Sequence, residues 1–192
     1  MKILITLFVL FFSSSVFADD ISDFEIEGMS IGNSLLDYFS EEEIKSWRTD
    51  FHEKSKKFYI TYSPSKSSDK YQQYGFYLKK NDKKFIIYAI SGAKFFGKDN
   101  IQSCKNFKES VVKDIISTLN NISPDTYEHK YDYLEDGKSI AYVTDFNFKK
   151  GSIRVWCVDW SNITEKNMNW EDNVSVTISS KEQLDWLNNE AN

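Results

Sequence analysis

Two cysteines, Cys104 and Cys157, constrain this chain more than any other feature, because each lies in a strongly patterned segment. Ile101, Cys104, Phe107, Val111, Val112, Ile115, Ile116 and Leu119 recur at three- and four-residue steps. That spacing predicts an amphipathic helix, capped by Asn100, ended by Asn120 and Asn121 and kept from continuing by Pro124. Ile153, Val155 and Cys157 alternate with Arg154, Trp156 and Val158, the two-residue period of a strand. Cys104 shares the apolar stripe with Phe107 or Lys108 and with Val111. If Ile153 and Val155 point inward, both sulfurs face one helix–sheet interface, and a disulfide is expected. Closing a loop of this length stabilises a fold by about 4 kcal/mol on chain-entropy grounds. A redox-active or metal-binding pair is disfavoured, since C-x-x-C spacing is absent and no histidine adjoins either cysteine.

A disulfide needs an oxidising compartment, and the start of the chain supplies one. Met1 to Ala18 reads as a signal peptide: Lys2, an apolar run from Ile3 to Phe12 broken only by Thr6, three serines, then Val16-Phe17-Ala18 as a small-residue cleavage pattern. The run is shorter than the roughly 20 residues a spanning helix needs. The expected product is one soluble domain, residues 19–192, periplasmic or secreted, with no membrane insertion after cleavage. The formal charge of −5 becomes more negative once Lys2 is removed, which argues against nucleic acid or an anionic membrane as partner. Sequons at Asn121, Asn162 and Asn173 follow from a composition rich in asparagine and lysine.

The remaining pattern predicts an α+β fold. In "FEIEGMSIGNSLLDYFSEEEIKSW" a short extended entry turns at Gly28. Asn33 or Ser34 caps a helix, and Ser40 with Glu43 has capping-box spacing. Glu41, Glu42 and Glu43 are therefore helix-start residues at the positive end of the helix dipole, not a catalytic or metal-binding cluster. Phe58–Tyr62 reads as a strand. Tyr74–Leu78 and Phe85–Ile90 form a hairpin with Asn81-Asp82 at its tip. A polar loop, "DTYEHKYDYLEDGK", follows the cysteine-bearing helix. Ile140–Phe148 and Ile153–Trp160 form a second hairpin, Val174–Ile178 a further strand, and Ser180 with Gln183 opens a last helix. The order is a helix and about three strands, twice, then a helix. The hairpins "FYLKKNDKKFIIYAI" and "FNFKKGSIRVWCV" are loosely alike, which suggests an internal duplication. The expected architecture is an antiparallel sheet of two α-then-β-meander units with helices packed on one face.

Candidate chemistry is sparse. His52 lies in a polar segment and is expected on the surface. His129, with Asp132, Glu135, Asp136 and Ser139 nearby, is a weak metal or general-base candidate, because these acids lack the alternate spacing of a calcium loop. No nucleophile elbow, P-loop or dinucleotide fingerprint is present, and no cofactor is implied. Aromatics are plentiful, with 5 Trp, 11 Tyr and 15 Phe. Trp156 faces away from the cysteine side, and Trp160, Trp170 and Trp186 are near it in sequence. On an open sheet face these rings stack on sugars or clasp a peptide; otherwise they form a second small core under the C-terminal helix.

Four phrases, "DFEIEGMSIGNSLLDYFSEEEI", "KKNDKKFIIYAISG", the Cys104 helix and "IRVWCVDWS", are similar to a family of uncharacterised secreted proteins of marine bacteria with AT-rich genomes. The resemblance covers most of the mature chain. It implies export, the cysteine pair and a shared architecture, and no activity. Members often carry aspartate where this chain has Asn33, which keeps the cap and removes a charge. "EGMSIGNSLLDYF" also resembles the glycine-then-helix opening of lactamase-inhibitor-like domains, a likeness of shape alone. The first functional expectation is a non-enzymatic module that binds an envelope protein, a peptide or a glycan. The alternative is a small hydrolase or metal-dependent enzyme using His129 with Asp132 or Glu135. A third is a purely structural component of the envelope.

Overall fold

The computed structural model describes residues 20–64, 70–98, 100–119, 122–134 and 137–191. The expected leader, the helix-ending Asn120 and Asn121, and the candidates Glu135 and Asp136 lie outside the described residues. The described elements run α1 (Glu41–Ser46), β1 (Arg48–Phe51), β2 (Phe58–Pro64), β3 (Gln73–Lys79), β4 (Ala89–Gly97), α2 (Ile101–Thr118), β5 (Asp125–Lys130), β6 (Ile140–Phe148), β7 (Gly151–Asp159), α3 (Asn162–Met168), β8 (Asp172–Ser180) and α4 (Lys181–Asn189). The fold is α+β.

All eight strands join one sheet in the order β1-β2-β3-β4-β8-β7-β6-β5, and every neighbouring pair is antiparallel. Read outward from the central β4–β8 pair, each half is a four-stranded meander. Strands β1 and β5 were not expected, and both are outer strands. The residues of β5 are exposed throughout, so the chain there carries no apolar alternation to betray a strand. The two hairpins that look alike in sequence are β3–β4 and β6–β7. They do not occupy equivalent places, since the counterpart of β3–β4 about the centre is β7–β8.

One sheet face carries the main core. Phe76, Leu78, Ile90, Phe146, Ile153, Val155, Val174 and Ile178 project from it. The segment 21–44 covers part of this face with Ile21, Ile26, Met29, Leu35 and Ile44. Helix α2 covers another part with Cys104 and Val111, and Cys104 is disulfide-bonded to Cys157 with Cα atoms 5.9 Å apart. Lys108, not Phe107, completes the buried stripe of α2. Asn100 makes no side-chain cap; its Nδ2 instead donates to the Phe96 carbonyl at 3.2 Å.

The expected caps elsewhere form. Ser34 Oγ accepts from Leu36 N, although only a short 3-10 turn follows, Leu35–Asp37. Ser40 and Glu43 make both arms of the capping box, at 3.2 and 2.8 Å. Ser180 Oγ accepts from Gln183 N at the start of α4. Residues 85–88 do not extend β4, contrary to expectation. The Asp82 carboxylate takes the Lys84 and Ile86 N–H groups, and Ile87 N donates to the Asn33 carbonyl, so this stretch lies along 32–35.

Helix α4 departs from the expectation of helices on one face. Its Trp186 packs against Phe58 and Tyr77, with ring centroids 5.0 and 6.3 Å away. Phe58 and Tyr77 alternate along their strands with residues that pair with Leu78 and Phe76, so they project from the opposite face.

Candidate functional site

The face opposite the disulfide carries small side chains along its centre. Ser91 and Ala93 of β4 stand opposite Thr177 and Ser175 of β8, all half-buried. Tyr62 and Tyr77 flank this strip on one side, and Arg154 and Trp156 on the other. Helix α4 closes one end.

The other end is built by the link between β7 and β8. Ser161 caps α3, accepting from Thr164 N at 3.2 Å, and Ser161 N donates to the buried Ser139 hydroxyl at 3.0 Å. Asn169 then takes the left-handed conformation, φ 53°, which ends α3 and turns the chain back. That turn sets Trp170 beside Trp160, ring centroids 4.6 Å apart. Trp160 is fixed from behind by Tyr131, at 5.1 Å, and by its backbone N–H, which donates to the buried Asp172 carboxylate at 3.0 Å. Trp170 stays 38% exposed.

Between these rings and the ends of β3 and β4 lies a cavity of about 540 Å³. Its lining joins Trp160, Trp170 and Phe95 to Arg48, Gln72, Gln73, Asn169, Glu171 and Asn173. Gln72 is held by its Oε1, which accepts from Phe95 N at 2.6 Å. Asn173 is held by its Nδ2, which donates to the Glu171 carbonyl at 3.0 Å. Chemically this is a half-open pocket with aromatic walls and oriented amides, each amide offering both donors and an acceptor.

Trp156, expected with Trp160 and Trp170, does not line the cavity. It packs beside a second buried cluster, Tyr131, Ala141, Val143 and Val158, and its buried Nε1 has no hydrogen-bond partner among the described residues. The expected second small core under the C-terminal helix is divided: α4 does not close this cluster, and closes instead a third one around Phe58 and its own Trp186. Beside Trp156, Arg154 makes a two-pronged bond to Asp145, 2.8 Å for each prong, and its Nη2 donates to Tyr127 Oη. The Asp145 bond holds the Arg154 guanidinium above its ordinary pKa.

His129 lies on strand β5, not in a loop, with its ring exposed and 5.0 Å from Tyr131. Asp132 sits in the exposed turn that follows. Among the described residues no three histidine, cysteine or acidic side chains group as metal ligands. His52 is not a free surface residue, since it packs edge-on against Trp186 at 5.0 Å. Among the described residues, no helix is long and apolar enough to cross a membrane.

The sequence singled out Trp160 and Trp170 and missed their polar neighbours. Gln72, Gln73 and Arg48 precede the tryptophans by many tens of residues, and only the β4–β8 pairing brings them together. No family model, no curated protein and no solved structure matches the chain.

Proposed function

We propose that this protein is an exported, non-enzymatic carbohydrate-binding module, and that the Trp160–Trp170 cavity is its ligand site. The observation that carries the reading is a half-exposed tryptophan pair facing four side-chain amides, two of them held in orientation, across about 540 Å³. A pyranose ring has an apolar C–H face and a rim of hydroxyls. The face suits the Trp170 ring, and the rim suits groups that both donate and accept. The acidic chain, with Glu171 in the lining, favours neutral sugars over anionic ones. Export and kinship with the marine secreted family belong to this proposal.

The test is a titration with neutral oligosaccharides, followed by tryptophan fluorescence and calorimetry. Saturable binding is expected, with Trp170→Ala weakening it at least tenfold and leaving the melting temperature within about 2 °C, as for an exposed side chain. A protein that answers to peptides and to no glycan replaces this reading with peptide capture.

A second reading, a protein partner on the open face, is favoured by the small-residue strip of Ser91, Ala93, Ser175 and Thr177, which leaves the backbone approachable. The enzymatic alternative retains only exposed His129 and Asp132 among the described residues.

A further inference from the structure

On the disulfide face, helix α2 packs chiefly on β4, β7 and β8, and Lys105 and Lys108 reach from it across a gap to β6. The gap leaves a pocket of about 360 Å³, bounded by Lys105, Lys108 and Glu109 of α2 and by Thr126, Glu128 and Tyr142 of the strands. Lys108 is only 8% exposed. An ammonium group has three N–H donors, and a buried one is stabilised only when they are satisfied and a counter-charge is near. Here Lys108 Nζ donates to one partner, the Thr144 hydroxyl, at 2.6 Å, and that hydroxyl is itself 3.2 Å from Thr126 Oγ1. Lys105 Nζ stands 3.6 Å from the centre of the Tyr142 ring. Among the described residues no carboxylate comes within 4.0 Å of either ammonium. Burial pushes the Lys108 ammonium below its ordinary pKa, with Glu109 opposing more weakly from a distance.

Two lysines converge on a recess with donors to spare, and hydroxyls stand beside them. We propose that this pocket binds the carboxylate of a small organic acid. One carboxylate oxygen takes the free N–H groups of Lys108, and the other is reached by Lys105 and the Thr126 hydroxyl. The acid's body lies along the Tyr142 ring. Glu109 and Glu128 at the rim disfavour a second negative charge, so monocarboxylates are preferred to dicarboxylates. The site is on the opposite sheet face from the Trp160–Trp170 cavity and does not depend on it.

The test is calorimetry with short monocarboxylates and their matched neutral amides, on the full chain and on two variants. The acids are expected to bind at least tenfold more tightly than the amides. Lys108→Met is expected to abolish the difference without lowering the melting temperature, since it replaces a buried charge by an apolar stem of similar length. Thr144→Val, which leaves the lysine in place, is expected to weaken acid binding several-fold. Equal binding of acids and amides, no binding of either, or undiminished acid binding by Lys108→Met overturns the proposal.

Discussion

Cys104 of α2 and Cys157 of β7 join the helix to the third strand of the second meander, 53 residues apart in sequence, and both are fully buried. The bond is the covalent tie between the helix and the sheet it covers. Replacing both cysteines by alanine, or reducing the bond, is expected to lower stability by about 4 kcal/mol. Denaturant unfolding of the oxidised and reduced protein measures it, and unchanged midpoints contradict it.

Gly151 begins β7 directly after the Lys149-Lys150 turn, and a Cβ there would come within 2.1 Å of the Ser179 carbonyl oxygen. The obstacle is backbone in the adjacent strand and cannot swing aside. Gly151→Ala is expected to cost about 3 kcal/mol or more. Gly28, at φ +78° with open space around it, gives the contrast: Gly28→Ala costs only the left-handed backbone penalty, about 1 kcal/mol. Thermal melts of the two variants compare these costs.

Tyr71 and Tyr77 have hydroxyls that burial pushes up from 10 to about 12. Between those values the folded chain keeps protons that the unfolded chain has released. Their contribution is therefore complete below pH 10 and is lost as pH rises through about 12. Each amounts to roughly 3 kcal/mol across the window. Tyrosinate absorbance is expected to show these two rings ionising last, after others that burial also raises, Tyr59, Tyr62 and Tyr131 among them, and to lose the delay in denaturant. Tyr71→Phe is expected to remove one ring from that last step and to shift alkaline unfolding upward.

Ser40 and Glu43 close the capping box of α1, so the three consecutive glutamates act through the helix start. Ser40→Ala is expected to cost about 1 kcal/mol. Glu42→Gln, at an exposed position outside the box, is expected to change stability by less than about 0.5 kcal/mol. Chemical denaturation of both variants distinguishes a capping role from a general effect of acidic charge.

The segments legible in the sequence are those whose side chains have one wet and one dry side. Helix α2, strands β6, β7 and β8, and the serine caps at 34, 40 and 180 all follow from local pattern, and the disulfide follows from placing two such patterns face to face. Strands β1 and β5 are held by backbone pairing at the sheet margins and bury almost nothing, so their residues carry no periodic signal. Helix α3 has only seven residues and is fixed by the Ser161 cap and by burial of Thr164 and Glu165, two polar residues that hydrophobic periodicity overlooks. Phe85 to Tyr88 reads as strand by composition, yet Asp82 takes the Ile86 N–H and Asn33 takes that of Ile87, and only Tyr88 donates to β3, at Tyr77. The candidate cavity was half legible. Tryptophans stand out wherever they occur, but Gln72 and Asn173 acquire meaning only from a strand order that no local pattern encodes.

That strand order makes one strand decisive for the whole sheet: β8, the last in chain order among the described strands, lies between β4 and β7 and pairs with both. Without it the sheet falls into two halves, and β4 and β7 are each left with an unpaired edge. A chain truncated before Asp172 is thus expected to be sticky in a way the full chain is not, with two strand edges open to other molecules.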